Sequence, residues 1–275
     1  MKRPASGDRT YLATFAYDGT DYVGWQFQPD HLSVQQALEE AFTQVTQLDV
    51  RLRAAGRTDS GVHALAMPAD FTLPYELDLE ELLAAWDAVS PRDISVLSVD
   101  TAPTGFSARR RARRRTYRYL ILNRYRPSPF LSRWCWHLDD KLDINAMRTA
   151  MSVLPGEHDF TTFRASDCEA EHPRRRIYDA RIVEHGGRQV LGDWQVAGGA
   201  EEGLVVITIT GSAFLKHQVR SIVGTLVEVG RGKMSPSRFG EVLAAADREL
   251  AGPTAPARGL TFVGVEFGEE KTAER

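Results

Sequence analysis

Seven of the ten residues from Arg109 to Arg118 are arginine, and a protein core does not accept that many guanidinium groups. This segment therefore stays at a surface, and the chain is read as two α+β halves meeting at it, residues 1–107 and 108–275. Its length of 275 residues suits two small domains better than one. A second basic cluster, Arg174-Arg175-Arg176, lies further on, while acids collect from Glu76 to Asp87 and from Glu266 to Glu270. The formal net charge of -3 thus averages a basic face over an acidic body. Averaged charge alone would argue against a polyanionic partner; its distribution does not.

Composition excludes several classes. With 43% hydrophobic and 26% charged residues the chain is an ordinary globular one, not disordered or fibrous. It has no apolar run of membrane-spanning length, and the start Met1-Lys2-Arg3-Pro4-Ala5-Ser6-Gly7-Asp8 does not look like a secretion signal, so a cytoplasmic location is expected. Cys135 and Cys168 form no CxxC and have no histidine at ligand spacing, which argues against a disulfide framework, a zinc site or metal dependence.

Periodicity supplies the elements. Tyr11 to Tyr17 reads as a strand closed by the turn Asp18-Gly19-Thr20. Ser33 and Gln36 form a capping-box pattern ahead of Val34, Leu38, Phe42 and Val45 at helical spacing. Asp78 to Val89 is a second helix, stopped by Pro91 and followed by a strand from Ile94 to Val99. In the second half Thr116 to Leu122 alternates, placing Tyr117, Tyr119 and Ile121 on one side of a strand. Ile144, Met147, Met151 and Leu154 mark a helix. Strands are expected at Ile177 to Glu184 and Leu204 to Thr210, joined by a long hairpin loop, Gly186 to Gly203. A helix follows from about Leu215, with Val219, Ile222, Val223, Leu226 and Val227 as its buried stripe, and a shorter one covers Ser237 to Ala246. Hairpins outnumber strand-helix-strand crossovers, so mainly antiparallel sheets backed by helices are expected, with strand, helix, helix and strand recurring in both halves.

Chemistry concentrates in Ala55-Gly56-Arg57-Thr58-Asp59-Ser60-Gly61-Val62-His63-Ala64, a glycine-bracketed loop offering an arginine, a hydroxyl, a carboxylate and an imidazole. Taken alone, it fits two readings: side chains presented to a ligand, or a tight turn whose aspartate bonds nearby amides.

That string resembles the active-site loop of the tRNA pseudouridine synthase A family. Further stretches agree in order and spacing: Tyr17-Asp18-Gly19-Thr20-Asp21-Tyr22-Val23-Gly24-Trp25-Gln26, Ser33-Val34-Gln35, Arg115-Thr116-Tyr117-Arg118-Tyr119, Gly156 to Arg164, and Phe214 to Gly224. The resemblance runs from about residue 11 to 266, so it covers the chain and is not one short motif. It implies two similar α+β halves around a basic active-site cleft, a homodimer with tRNA across both subunits, no cofactor, and isomerisation of uridine at positions 38, 39 and 40 of the tRNA anticodon stem-loop.

Residue by residue, Asp59 matches the family's nucleophile, Arg57 the arginine that takes the place of the displaced base, Tyr117 the tyrosine that stacks on the target base, and Arg220 the arginine that pairs with the catalytic carboxylate. Each has a plainer alternative: a phosphate or salt-bridge arginine for Arg57, a core strand tyrosine for Tyr117, a solvated helix-face arginine for Arg220. Tyr119 fits the core role. The arginines from Arg109 to Arg115, with Arg109, Arg110, Arg113 and Arg114 as the named candidates, read as a phosphate-binding surface or a solubilising run, and Lys216, His217 and His63 as structural or RNA-contacting groups. Two stretches depart from the family pattern. Ala64-Leu65-Ala66-Met67-Pro68-Ala69-Asp70-Phe71 replaces a Gln-Val start, its proline removing a backbone donor, and Trp86-Asp87-Ala88-Val89-Ser90-Pro91 replaces an asparagine-rich turn.

Overall fold

The computed structural model describes residues 2–185 and 203–268. In chain order the elements are β1 (Lys2–Tyr17), α1 (Val34–Thr46), β2 (Arg53–Ala54), β3 (His63–Leu77), α2 (Leu79–Val89), β4 (Ile94–Ala102), α3 (Ala108–Arg111) and β5 (Ala112–Asn123). They continue with β6 (Trp136–Leu138), α4 (Ile144–Met151), β7 (Gly156–Asp159), β8 (Arg174–His185), β9 (Leu204–Gly211), α5 (Gln218–Gly230), α6 (Pro236–Ala244) and β10 (Leu260–Phe267). The chain divides into two compact units, residues 1–115 with 262–275, and residues 116–261. Among the described residues the strand pairing is mainly antiparallel, as the hairpin-rich pattern predicts, with β6 alongside β5 a parallel exception.

In the first unit the strand order is β4-β1-β3-β10, with β2 beside β3. The strand β1 begins well before Tyr11 because its polar start pairs with the end of β3, Lys2 opposite Leu77 and Arg3 opposite Glu76; cross-strand hydrogen bonding sets that stretch, and no hydrophobic alternation announces it. Helix α1 begins where the Ser33 pattern places it, the Ser33 hydroxyl accepting from the Gln36 amide at 3.2 Å. The reciprocal half of the capping box is absent: the Gln36 side chain donates to Glu40, one turn on, at 2.9 Å. Both helices bury aromatic faces. The Trp86 ring lies 4.9 Å from that of Phe42, 5.3 Å from Phe15 and 6.0 Å from Phe71, all edge-on. Its indole nitrogen donates to the Leu38 carbonyl at 3.0 Å, satisfying the one polar atom of a fully buried side chain. The departure at Trp86 is therefore a core feature.

The second departure also has a structural account. Met67 is fully buried, and Pro68 sits inside β3 with its carbonyl accepting from the Ala55 amide at 2.9 Å. Two residues on, Asp70 is a carboxylate with no exposure. Arg53 donates to it at 2.7 Å and the Ala108 amide at 2.7 Å, so the buried charge is both paired and hydrogen-bonded. Strand β10 has no counterpart among the expected elements; its alternation changes phase at the adjacent Phe262 and Val263.

In the second unit the order is β5-β9-β8-β7, with β6 on β5. Tyr117, Tyr119 and Ile121 are all buried on one side of β5, as their alternation predicts. Strands β8 and β9 pair from His185–Leu204 onward; the long hairpin loop expected at Gly186–Gly203 lies outside the described residues except for Gly203. Helices α4, α5 and α6 pack on one another. Helix α5 starts at Gln218, not Leu215, and its predicted stripe Val219, Ile222, Val223, Leu226 and Val227 is buried. Glycine is required at Gly224, where an added Cβ would fall 1.7 Å from the Pro253 carbonyl oxygen. Cys135 and Cys168 are not joined. Burial pushes the Cys135 thiol up to about 11 despite the nearby Arg258 and Arg124, and its sulfur lies 3.0 Å from the Leu131 carbonyl. No helix of the described residues is long and apolar enough to cross a membrane.

Two outcomes are expected. Trp86→Ala removes the shared partner of three aromatic rings and lowers unfolding stability by about 3–5 kcal/mol in urea titration. At pH 8 iodoacetamide should label Cys168 and spare Cys135, which stays a protonated thiol until the pH passes its raised value; peptide mapping of the folded protein reads the difference.

Candidate active site

Two main-chain segments lock together to build the loop that carries Asp59. After β1 the chain turns through Asp18 to Asp21 and passes directly over residues 58 to 61. The Trp25 amide donates to the Thr58 carbonyl at 3.1 Å, the Gly61 amide to the Tyr22 carbonyl at 3.2 Å, and Gly24 forms an isolated bridge with Asp59. Gly24 is at φ +105, and a Cβ there would lie 2.4 Å from the Thr58 carbonyl oxygen. Glycine is thus demanded twice, by backbone conformation and by close approach. The sequence stretch Tyr17 to Gln26 is the bed on which the loop rests.

Side chains finish the hold. The Tyr17 hydroxyl and Thr58 Oγ1 are 2.8 Å apart in a buried contact, and the Ser60 hydroxyl donates to the Tyr22 carbonyl at 3.2 Å. The Val62 amide closes a turn onto the Asp59 carbonyl at 3.1 Å. Tyr22 itself is nearly buried and donates to Asp93 at 2.8 Å; burial, then the Asp93 carboxylate, raise its pKa. His63 is buried as well, its Nδ1 accepting from the Gly19 amide at 3.1 Å and lying 3.0 Å from Asp18 Oδ1. That environment gives His63 a bracing role between β3 and the turn. Of the charged side chains between Gly56 and Gly61, Arg57 is exposed and Asp59 is half-buried.

The arginine segment of the same unit is less uniform than its sequence. Arg109, Arg110, Arg113 and Arg114 are exposed, Arg114 Nε lying 3.6 Å from the carboxylate of Glu266. Arg115 is half-buried and turned to backbone: its guanidinium donates to the Ala55 carbonyl from Nε at 3.1 Å and from Nη2 at 2.9 Å. Sequence reading grouped Arg115 with its neighbours, since nothing in a run of arginines marks the one that turns inward.

The remaining candidates belong to the second unit. Tyr117, only 8% exposed, meets the ring of Phe214 edge-on at 5.1 Å. Tyr119 is wholly buried, donates to the Pro256 carbonyl at 2.7 Å, and has its pKa raised by burial against the opposing pull of Arg220 and Arg258; it is the core tyrosine the sequence suggested. Arg220 is half-buried on α5, with Nε donating to the Ala255 carbonyl at 2.8 Å and its own carbonyl accepting from the Ala255 amide at 3.1 Å. The first bond holds the side chain against the Ala255 carbonyl, and the second ties the α5 backbone to the same residue. His217 stands at φ 62 ahead of α5, and Lys216 is exposed with its ammonium 2.5 Å from Asp167, whose carboxyl is held below its usual range by that ammonium. Among the described residues no group of three or more His, Cys, Asp or Glu side chains is placed to hold a metal ion.

Comparison with known proteins agrees with the resemblance read from the motifs. A family model described as tRNA pseudouridine synthase matches residues 13–109 and 150–268. The chain is 42% identical over 259 residues to the tRNA pseudouridine synthase A of Pelobacter propionicus, covering 94% of this chain and 100% of that one. It is 39% identical to the protein of that name from Geobacter sulfurreducens, with the same coverage, and 38% identical to that from Francisella tularensis subsp. novicida, covering 95% of each.

Gly24→Ala should cost about 2 kcal/mol or more of unfolding free energy, from the unfavourable φ together with the clash. Urea denaturation with a loop-sensitive probe such as Trp25 fluorescence measures it.

Proposed function

The chain belongs to the tRNA pseudouridine synthase family and converts uridine to pseudouridine in tRNA; from that premise we propose that its targets are positions 38, 39 and 40 of the anticodon stem-loop and that Asp59 is its nucleophile. The observation that carries the assignment is a half-buried carboxylate in a loop whose backbone is pinned on both sides, at a position matching the family's active-site motif. The reaction is an isomerisation. The N1–C1′ glycosidic bond breaks, the base turns, a C5–C1′ bond forms, C5 gives up a proton and N1 gains one. Atoms balance without a co-reactant, so no cofactor enters the proposal. A carboxylate beside the sugar supplies the negative charge that the electron-poor C1′ centre requires.

The other residues take roles that fit their surroundings. A uridine paired in a stem must leave the stack before the carboxylate reaches it, at a cost of a few kcal/mol. Arg57, exposed two residues before Asp59, is suited to fill the gap. Tyr117 supplies an aromatic face for the displaced base and a hydroxyl for proton transfer at C5, and Arg220, its Nε held by the Ala255 carbonyl, matches the arginine that pairs with the catalytic carboxylate in the resembled family. Arg109, Arg110, Arg113 and Arg114, with Lys216 and His217, contact tRNA phosphates. The same reading makes the protein a homodimer acting on tRNA in the cytoplasm, as the family resemblance and the substrate support.

Pseudouridine mapping of tRNA treated with wild type and with Asp59→Ala tests it. Wild type should modify positions 38 to 40, and Asp59→Ala should still bind tRNA but form pseudouridine at least about a thousandfold more slowly. Tyr117→Phe should bind normally and react about a hundredfold more slowly. Binding by wild type with no pseudouridine formed would replace the enzyme with a tRNA-binding protein of the same fold.

A further inference from the structure

We propose that Arg115 is a positioning residue for the Asp59 loop, distinct from the phosphate-contacting arginines beside it; the catalytic part of this inference rests on the role proposed for Asp59. One guanidinium gathers three carbonyls. Nε and Nη2 donate to Ala55 at 3.1 and 2.9 Å, Nη1 donates to Ala112 at 3.3 Å, and Nη2 also donates to Arg109 at 3.1 Å. Ala55 opens the loop, four residues before Asp59, while Arg109 and Ala112 offer carbonyls at the end of α3 that have no helical partner. A cation collecting those oxygens offsets the negative end of the short helix and fastens it to the base of the loop.

The other end of α3 is fastened to the same place. Asp70 accepts from the Ala108 amide and from Arg53, whose strand β2 runs directly into Ala55. Between the two clamps Ala55, Ala108 and Ala112 are packed together under Leu12, Phe106, Val265 and Phe267. Only small side chains allow the helix and the loop base to approach this closely, and Arg115 closes the open edge of that contact. The geometry needs a planar fork reaching several acceptors at once; an ammonium on a flexible stem keeps the charge and loses the fork.

Arg115→Lys in the full chain separates this role from phosphate binding, because charge is retained. Three measurements are made: hydrogen exchange of amides in residues 55–62, the single-turnover rate with tRNA saturated by enzyme, and tRNA affinity across a NaCl series. Expected are exchange in that segment about tenfold faster or more, a saturated rate about tenfold lower or more, and affinity within about twofold of wild type with an unchanged salt slope. Wild-type exchange, or a wild-type saturated rate, overturns the proposal. So does a loss of affinity with a shallower salt slope in folded Arg115→Ala, where the charge is removed, which would make Arg115 a phosphate contact. Failure of Arg115→Lys to fold, read by circular dichroism, also overturns it by showing a global structural role. Arg115→Ala is the stronger perturbation, and if it does not fold the lysine variant decides. Exchange needs no turnover, so loosening of the loop is read even if Asp59→Ala shows that another group performs the chemistry.

Discussion

The first unit depends on a backbone-to-backbone contact: the chain leaving β1 lies against the loop at residues 58 to 61 through amide–carbonyl bonds and the approach of Gly24 to Thr58. Main-chain bonds cannot change rotamer, so they hold a loop more rigidly than side-chain contacts do. The Asp59 carboxylate gains a fixed origin from which only its own two torsions remain, and a small angular error at that origin costs rate steeply. Gly19 and Gly24 are consequences of that closeness, since an added Cβ would fall 2.0 Å from the Val62 carbonyl oxygen and 2.4 Å from that of Thr58.

Around this contact the supports divide by chemistry. Aromatic packing of Trp86 with Phe15, Phe42 and Phe71 fastens α1 and α2 to the sheet and supplies bulk stability. Buried polar groups act locally instead. Asp70 joins β3, β2 and α3, Tyr22 joins the turn to Asp93, and His63 joins the turn to β3. The Arg53–Asp70 pair sets an exposed guanidinium on a buried carboxylate, and loss of the arginine would leave that buried group short of a partner. Its value here lies in specifying which elements meet.

In the second unit the same division recurs. Helix α5 is buried along most of its length, yet Arg220 on it is half-buried and latched to Ala255, and Tyr119 is wholly buried with its hydroxyl satisfied by Pro256. Tyr117 and Tyr119 share one face of β5 and have different surroundings: an aromatic edge for the first, a carbonyl and complete burial for the second. Two tyrosines of one strand are thereby separated into a candidate reactive group and a structural one.

Local periodicity and local caps were legible in the sequence because they depend on neighbours a few residues away. The helices begun by Ser33 and Asp78, the alternation of Tyr117, Tyr119 and Ile121 and the buried stripe of α5 belong to this class, whereas the loop around Asp59 was legible only through its family resemblance, since the segment that holds it lies more than thirty residues earlier in the chain. Tertiary structure alone decided what depends on distant partners. The early start of β1 comes from pairing with the end of β3, and the burial of Asp70 from Arg53 and Ala108. Arg115 shows the limit most clearly: it has the same side chain as its neighbours in the run, and only the position of the Ala55 carbonyl, 60 residues away in sequence, gives it a different partner. A sequence carries the chemistry of each side chain, but which acceptor that side chain meets is fixed by how remote segments close on one another.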